Sequence, residues 1–198
     1  MKIHRSIIHK IPNILTNIRI LCVPIICLMI YIEYQTIYGI TSLKSVIVIL
    51  TSLVCLTDCF DGKIARKYNA ITSYGRCMDP IADKLLVLSL IMILAYTRKI
   101  WLTPAFIILF REIFISGVRE FCSREKQIEI PVSSMAKHKT ILQMTALVIL
   151  LAFENEYIRL YANLLLSLSA ILAVITASNY IKSVFWILKG KDLSKLKK

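Results

Sequence analysis

Acidic residues are scarce in this chain. Its 198 residues carry 12 Asp and Glu against 25 Lys and Arg, a formal net charge of +13. Long polar stretches are scarcer still: the longest is about 122–137. With 57% hydrophobic residues and a mean hydropathy of +0.69, a water-soluble domain of this length is excluded. None of the cysteines (Cys22, Cys27, Cys55, Cys59, Cys77 and Cys122) forms a C-x-x-C pair. Cys55 and Cys59 share a helix face, yet no His or third Cys stands near them to complete a zinc site. The thiols read as small buried hydrophobes. No small-residue cleavage site follows the basic stretch Met1 to Lys10, so no signal peptide is expected. No internal repeat is evident, and one membrane domain over 1–198 is expected.

The apolar segments approach the roughly 20 residues that cross a bilayer. Six spans are predicted, at about 14–33, 45–66, 79–97, 101–121, 138–154 and 159–188. The fold class is therefore an all-α integral membrane protein with six transmembrane helices. The last span is too long for one straight crossing, so it projects or kinks. In residues 1–11, Ile3, Ile7 and Ile8 fall at helical spacing among basic residues, and Pro12 follows. That pattern predicts a short interfacial helix before the first span. The tail 189–198 is basic and suits anionic lipid. In the six-span arrangement all Lys and Arg except Lys44, Arg98, Lys99 and Arg159 fall on one side, counting those in the nearest helix ends. The positive-inside rule places both termini on the cytoplasmic side of the membrane. Charge that flanks spans, rather than forming one stripe, argues against nucleic acid as a partner.

Against this background one run stands out: Asp58-x2-Asp61-Gly62-x2-Ala65-Arg66-x8-Gly75-x3-Asp79-x3-Asp83. Acids at the edge of a membrane span are costly, and they mark function by default. On a helix, Asp61 lies within roughly 60° of Asp58, Gly62 within roughly 40°, and Ala65 near the same bearing. Two carboxylates thus share a stripe with two residues that have almost no side chain. Gly75, Asp79 and Asp83 are spaced by four and make a second stripe if a helix starts near Ser73. Pro80 either kinks that helix or opens it with Asp79 as cap. The residues between Arg66 and Gly75 suit a turn that brings the stripes face to face. Four close carboxylates need positive charge to stay ionised. Hard oxygen ligands favour Mg²⁺, Mn²⁺ or Ca²⁺. Four of them suit two metals roughly 3.5–4 Å apart, an arrangement used for phosphoryl displacement. A single Asp at a helix end would read as a cap or a solvated charge. A cation channel would spread its acids along several helices, whereas these gather at one level.

This spacing resembles, position for position, the signature of the CDP-alcohol phosphatidyltransferases. The resemblance implies a six-helix enzyme of the bacterial inner membrane, usually a homodimer, with a cytoplasm-facing metal site. It implies transfer of a phosphatidyl group from a CDP-linked lipid to an alcohol, with release of CMP. Three further motifs narrow the acceptor: Asn13-Ile14-Leu15-Thr16-x2-Arg19, Arg111-Glu112-x4-Gly117-x-Arg119-Glu120, and Val132-Ser133-x2-Ala136-Lys137-x-Lys139-Thr140-x2-Gln143-Met144. They are similar to the branch of the family that joins CDP-diacylglycerol to glycerol 3-phosphate. Ala136 departs from the pattern, where Gly is expected. Other acceptors of the same chemistry are phosphatidylglycerol, inositol phosphate and serine.

By that resemblance Asp58, Asp61, Asp79 and Asp83 hold two divalent ions, Mg²⁺ or Mn²⁺, and Asp83 is the candidate base. Gly62, Ala65 and Gly75 admit the cytidine nucleotide, Arg66 meets its phosphates, and Thr16 and Arg19 touch the nucleotide or its phosphates. A phosphorylated acceptor needs a second anion site, for which Arg111, Arg119, Lys137 and Lys139 are candidates. Arg111 stands in an apolar segment, where its alternative is an ion pair with Glu112 or Glu120. Arg119 alternatively anchors at the headgroups. Lys137 and Lys139 alternatively serve only as positive-inside charge. His138 reads as a bystander, and His4 and His9 as surface residues.

Overall fold

The computed structural model of the chain describes residues 2–36, 41–67, 73–126 and 134–188, with side chains over 13–36, 43–57, 78–123 and 138–187. The described residues form helices α1 (Lys2–Gln35), α2 (Thr41–Lys67), α3 (Ser73–Tyr96), α4 (Leu102–Lys126), α5 (Ser134–Ala152) and α6 (Glu156–Leu188), and no strand occurs among them. The predicted spans each fall within one of these helices, apart from a residue or two at their ends. Residues 2–10 are helical but not a separate element, because α1 runs unbroken through Pro12. Proline's fixed φ lies in the helical range, and its missing N–H removes one intrahelical bond. Similarly, α3 begins at Ser73, so Pro80 is interior and Asp79 is not its cap.

Among the described residues, two segments are long and apolar enough to cross a bilayer by length and composition, Asn13–Gln35 and Glu156–Ile187. Leu43–Thr57 and His138–Ala152 are shorter apolar stretches. Charged residues interrupt the apolar runs elsewhere: Asp79, Asp83 and Lys84 in α3, and Arg111, Glu112 and Arg119 in α4.

The chain divides into two compact units. The first comprises Met1–Ile100 and Leu147–Arg159. Within it α1 packs against both α2 and α3. The inward face of α1 presents Thr16, Arg19, Val23, Ile26, Ile30 and Glu33, all buried and spaced by alternating threes and fours. That spacing keeps one stripe on one side of a helix. Leu86, Leu90, Ile91 and Leu94 of α3 and Ile47 and Val54 of α2 are buried in the same unit. The opposite stripe of α1 (Ile14, Ile18, Leu21, Ile25, Leu28 and Ile32) is equally apolar yet exposed. The second unit comprises Trp101–Ala146 and Leu160–Lys198, with Ala105, Ile108, Ile115, Ala146, Ala162, Leu166 and Ala173 at its core. Its outer faces are again apolar: Phe106, Phe110 and Phe114 are exposed and stack in succession, with ring centroids 6.4 and 5.9 Å apart. Exposed apolar surface of this extent marks contact with protein or lipid.

Candidate active site

The two acid stripes sit on α2 and α3. The backbone of α2 stays helical through Asp58, Asp61, Gly62, Ala65 and Arg66, and α3 opens two residues before Gly75. The helical spacing expected for both stripes is therefore present. The side chains of Asp58, Asp61, Arg66 and Lys137, and the surroundings of Gly62, Ala65 and Gly75, lie outside the described residues.

Asp79 and Asp83 are one turn apart on α3 and both partly buried. Each is held by a buried residue of α1. Thr16 Oγ1 donates to Asp79 Oδ1 at 2.6 Å. Arg19 Nη1 donates to Asp83 Oδ1 at 2.7 Å. Thr16 and Arg19 are 2% and 3% exposed, so the donors are fixed by packing while the Asp83 side chain keeps 45% of its surface open. Three residues on α1 match four on α3 because both spacings are close to one helical turn. The result is a two-rung ladder between helices that are 63 and 64 residues apart in sequence. Thr16 and Arg19, expected at the nucleotide or its phosphates, are hydrogen-bonded to the aspartates.

These residues fit a hard divalent cation by donor chemistry. The described donors are carboxylate oxygens, and each carboxylate has its own hydrogen-bond donor, as ligating carboxylates ordinarily do. Among the described residues no group of three or more ligands assembles, since two of the four expected aspartates fall outside them.

A second polar cluster lies in the second unit. Arg111 Nη1 donates to Glu112 Oε1 at 3.0 Å, and Arg111 Nη2 donates to Thr176 Oγ1 of α6 at 3.3 Å. Lys139 Nζ of α5 donates to the same oxygen, Glu112 Oε1. Lys139 is 2% exposed and the Arg111 side chain 13%. Arg111 thus makes the ion pair with Glu112 considered as its alternative role, and Lys139 is buried rather than a plain surface charge. Arg119 is exposed and lies over the Tyr180 ring at 5.7 Å. His138 is exposed. Sequence reasoning missed the Glu112–Lys139 link and Thr176. A carboxylate beside Arg111 in an apolar helix signalled the first; nothing signalled the second.

An apolar groove of about 380 Å³ runs along Ile113, Phe114, Gly117, Val118, Phe121 and Cys122 of α4 and Val184 of α6. Among the described residues no charged side chain lines it.

With this geometry in view, the comparisons decide the family. The family model described as CDP-alcohol phosphatidyltransferase matches residues 9–177. The chain belongs to the CDP-alcohol phosphatidyltransferase family. The match spans Thr16, Arg19, all four aspartates and the Arg111–Glu112–Lys139 cluster. A relative from Rickettsia bellii (strain RML369-C) is 41% identical over 178 residues, covering 88% of this chain and 94% of its own length. One from Rickettsia felis (strain ATCC VR-1525 / URRWXCal2) is 40% identical over the same shares. One from Wigglesworthia glossinidia brevipalpis is 38% identical, covering 86% of this chain and 92% of its own. All three are named CDP-diacylglycerol–glycerol-3-phosphate 3-phosphatidyltransferase.

Proposed function

We propose that this chain transfers the phosphatidyl group of CDP-diacylglycerol to sn-glycerol 3-phosphate, a step of phospholipid biosynthesis that gives phosphatidylglycerophosphate and CMP. The observation that carries this reading is the shared name of relatives 38–41% identical to it over 86–88% of its length. The site supports it with an acid ladder for a cation-dependent donor site and a buried cation pair for an anionic acceptor.

Asp58, Asp61, Asp79 and Asp83 would hold two divalent ions, Mg²⁺ or Mn²⁺. Bound there, the ions would neutralise the diphosphate and the charge on departing CMP. The rest of the work falls to the chain. Thr16 and Arg19 fix the orientation of Asp79 and Asp83, which shortens the search for productive geometry. Gly62, Ala65 and Gly75 leave room for the nucleotide, and Arg66 meets its phosphates. Arg111, Arg119, Lys137 and Lys139 receive the acceptor phosphate. The acceptor hydroxyl oxygen bonds to the lipid-side phosphorus, the bond from that phosphorus to the bridging oxygen breaks, and CMP leaves with the electron pair. Asp83 takes the hydroxyl proton.

The same reading includes a multi-pass topology. Six spans place both termini and the aspartates on the cytoplasmic face of a bacterial inner membrane, in a homodimer. The outward apolar faces of α1, α4 and α6 support it, because such faces suit lipid and not water.

Purified protein in detergent micelles, given CDP-diacylglycerol, Mg²⁺ and radiolabelled glycerol 3-phosphate, should yield labelled lipid and one CMP per lipid. A chelator should abolish both. Label entering lipid only from phosphatidylglycerol, inositol phosphate or serine would reassign the acceptor, and no CMP release with any of them would end the enzymatic reading.

A further inference from the structure

One buried polar group in the second unit has no part in the reaction described above. Gln143 is 2% exposed, and its amide Nε2 has no hydrogen-bond partner. It lies four residues after Lys139 on α5, so both side chains share one face, about 6 Å apart at Cβ. Arg111 Nε is also buried without a partner. Native interiors pair their buried donors, and an orphan calls for a physical reason. The charges point the same way. Arg111 and Lys139 meet a single carboxylate, Glu112, both through Oε1. Two cations against one anion leave a positive excess in a buried place. Unfilled donors beside surplus positive charge are complementary to a group that carries several anionic oxygens and no donors.

We propose that Gln143 is an acceptor-binding residue, its amide N–H donating to a phosphate-monoester oxygen held between Arg111 and Lys139. The proposal rests on the acceptor reading above and deepens it. A neutral amide adds a directional donor without a third buried cation, whose desolvation Glu112 alone would not offset. Arg111 and Lys139 supply charge, and Gln143 supplies selection for acceptors with a phosphate end.

The test is Gln143→Leu, with Gln143→Met as a second variant of similar length should Leu prevent folding. The apparent KM for glycerol 3-phosphate should rise about tenfold or more, the factor for one lost hydrogen bond to a charged group. The KM for CDP-diacylglycerol should stay within about twofold, since no donor contact is removed. The Tm of the unliganded variant should hold or rise, because an unpaired buried N–H is gone. Glycerol 3-phosphate alone should protect the wild-type protein against thermal unfolding and fail to protect the variant. A lower Tm with unchanged acceptor KM and protection would make Gln143 a structural amide and overturn the proposal. Protection of the wild type by phosphatidylglycerol micelles but not by glycerol 3-phosphate would overturn it too. The two readings fail separately. Wild-type protein that turns over no glycerol 3-phosphate, yet loses its protection on substitution, sinks the reaction and keeps Gln143. Equal turnover by wild type and variant does the reverse.

Discussion

Single side chains show how the same residue type takes different work from its neighbours. Asp79 and Asp83 are both acids on α3, yet one meets a neutral hydroxyl and the other a guanidinium. Removing the hydroxyl tests whether it orients Asp79. Thr16→Val keeps shape, so the helix contact survives while the hydrogen bond is lost. We expect the Mg²⁺ concentration for half-maximal activity to rise about 10-fold or more, the scale for partners of ligating groups. An unchanged Mg²⁺ requirement would leave Thr16 as packing alone. Asp83→Asn keeps size and removes the basic oxygen. Turnover should fall about 10²-fold or more, with CDP-lipid binding retained in an equilibrium binding assay. Near-normal turnover would remove Asp83 as base. Glu112 is tied to two cations, and its loss leaves them buried and uncompensated. Glu112→Ala should cost about 3–5 kcal/mol of stability, the scale for breaking a buried ion pair. Thermal unfolding in detergent checks this, and an unaltered Tm would mean the pairs do not persist in solution.

At the level of elements, the ends of the helices carry recognisable local chemistry. After α3, Lys99 N–H donates to Leu94 O at 3.0 Å and Arg98 N–H to Ala95 O at 3.1 Å. This is a Schellman stop, and its left-handed position is Arg98, with φ of 56°. Glycine normally holds that position because a Cβ crowds the following carbonyl there. Arg98→Gly should therefore raise stability by about 1 kcal/mol, read as a higher Tm with activity unchanged. A fall in Tm would mean that the Arg98 side chain contributes more than its backbone strain costs. At the start of α6, Asn155 Oδ1 accepts from the Tyr157 N–H at 2.9 Å and the Ile158 N–H at 3.4 Å, an N-cap. Across the second unit, Asn163 Oδ1 of α6 accepts the Trp101 N–H at 2.8 Å, just before α4 begins. These stops divide one apolar stretch from the next where hydrophobicity alone would not.

For the molecule as a whole, the proposed six-span topology sets Lys44, Arg98, Lys99 and Arg159 apart from the other Lys and Arg. Among the described residues, three of these four have an acid partner: Lys44 with Glu154 at 2.9 Å, Lys99 with Glu33 at 3.6 Å, and Arg159 with Glu156 at 2.6 Å. In the proposed topology, pairing lowers the excess positive charge on that side and sharpens its contrast with the other. If that contrast orients the protein, Tyr157→Cys in a cysteine-free background should react with an impermeant maleimide added outside cells. Lys195→Cys should react only after the membrane is opened. The opposite labelling pattern would invert the topology.

The sequence alone determined the helices, the spacing of the acids along them, and the family. All of these are carried by contacts one turn apart or by the order of residues, and both are written in the chain. Asp58 and Asp61, or Asp79 and Asp83, share a face whatever else the fold does. Tertiary structure alone decided which residues serve the acids. Thr16 reaches Asp79 and Arg19 reaches Asp83 across more than sixty residues, and Lys139 reaches Glu112 across 27. The physical reason is that α1 is apolar on opposite faces, so hydrophobic pattern does not say which face turns inward or which helix it meets. Only packing of α1 against α3 selects the face that carries Thr16 and Arg19. Only the tertiary structure buries Gln143 and leaves its amide Nε2 without a partner.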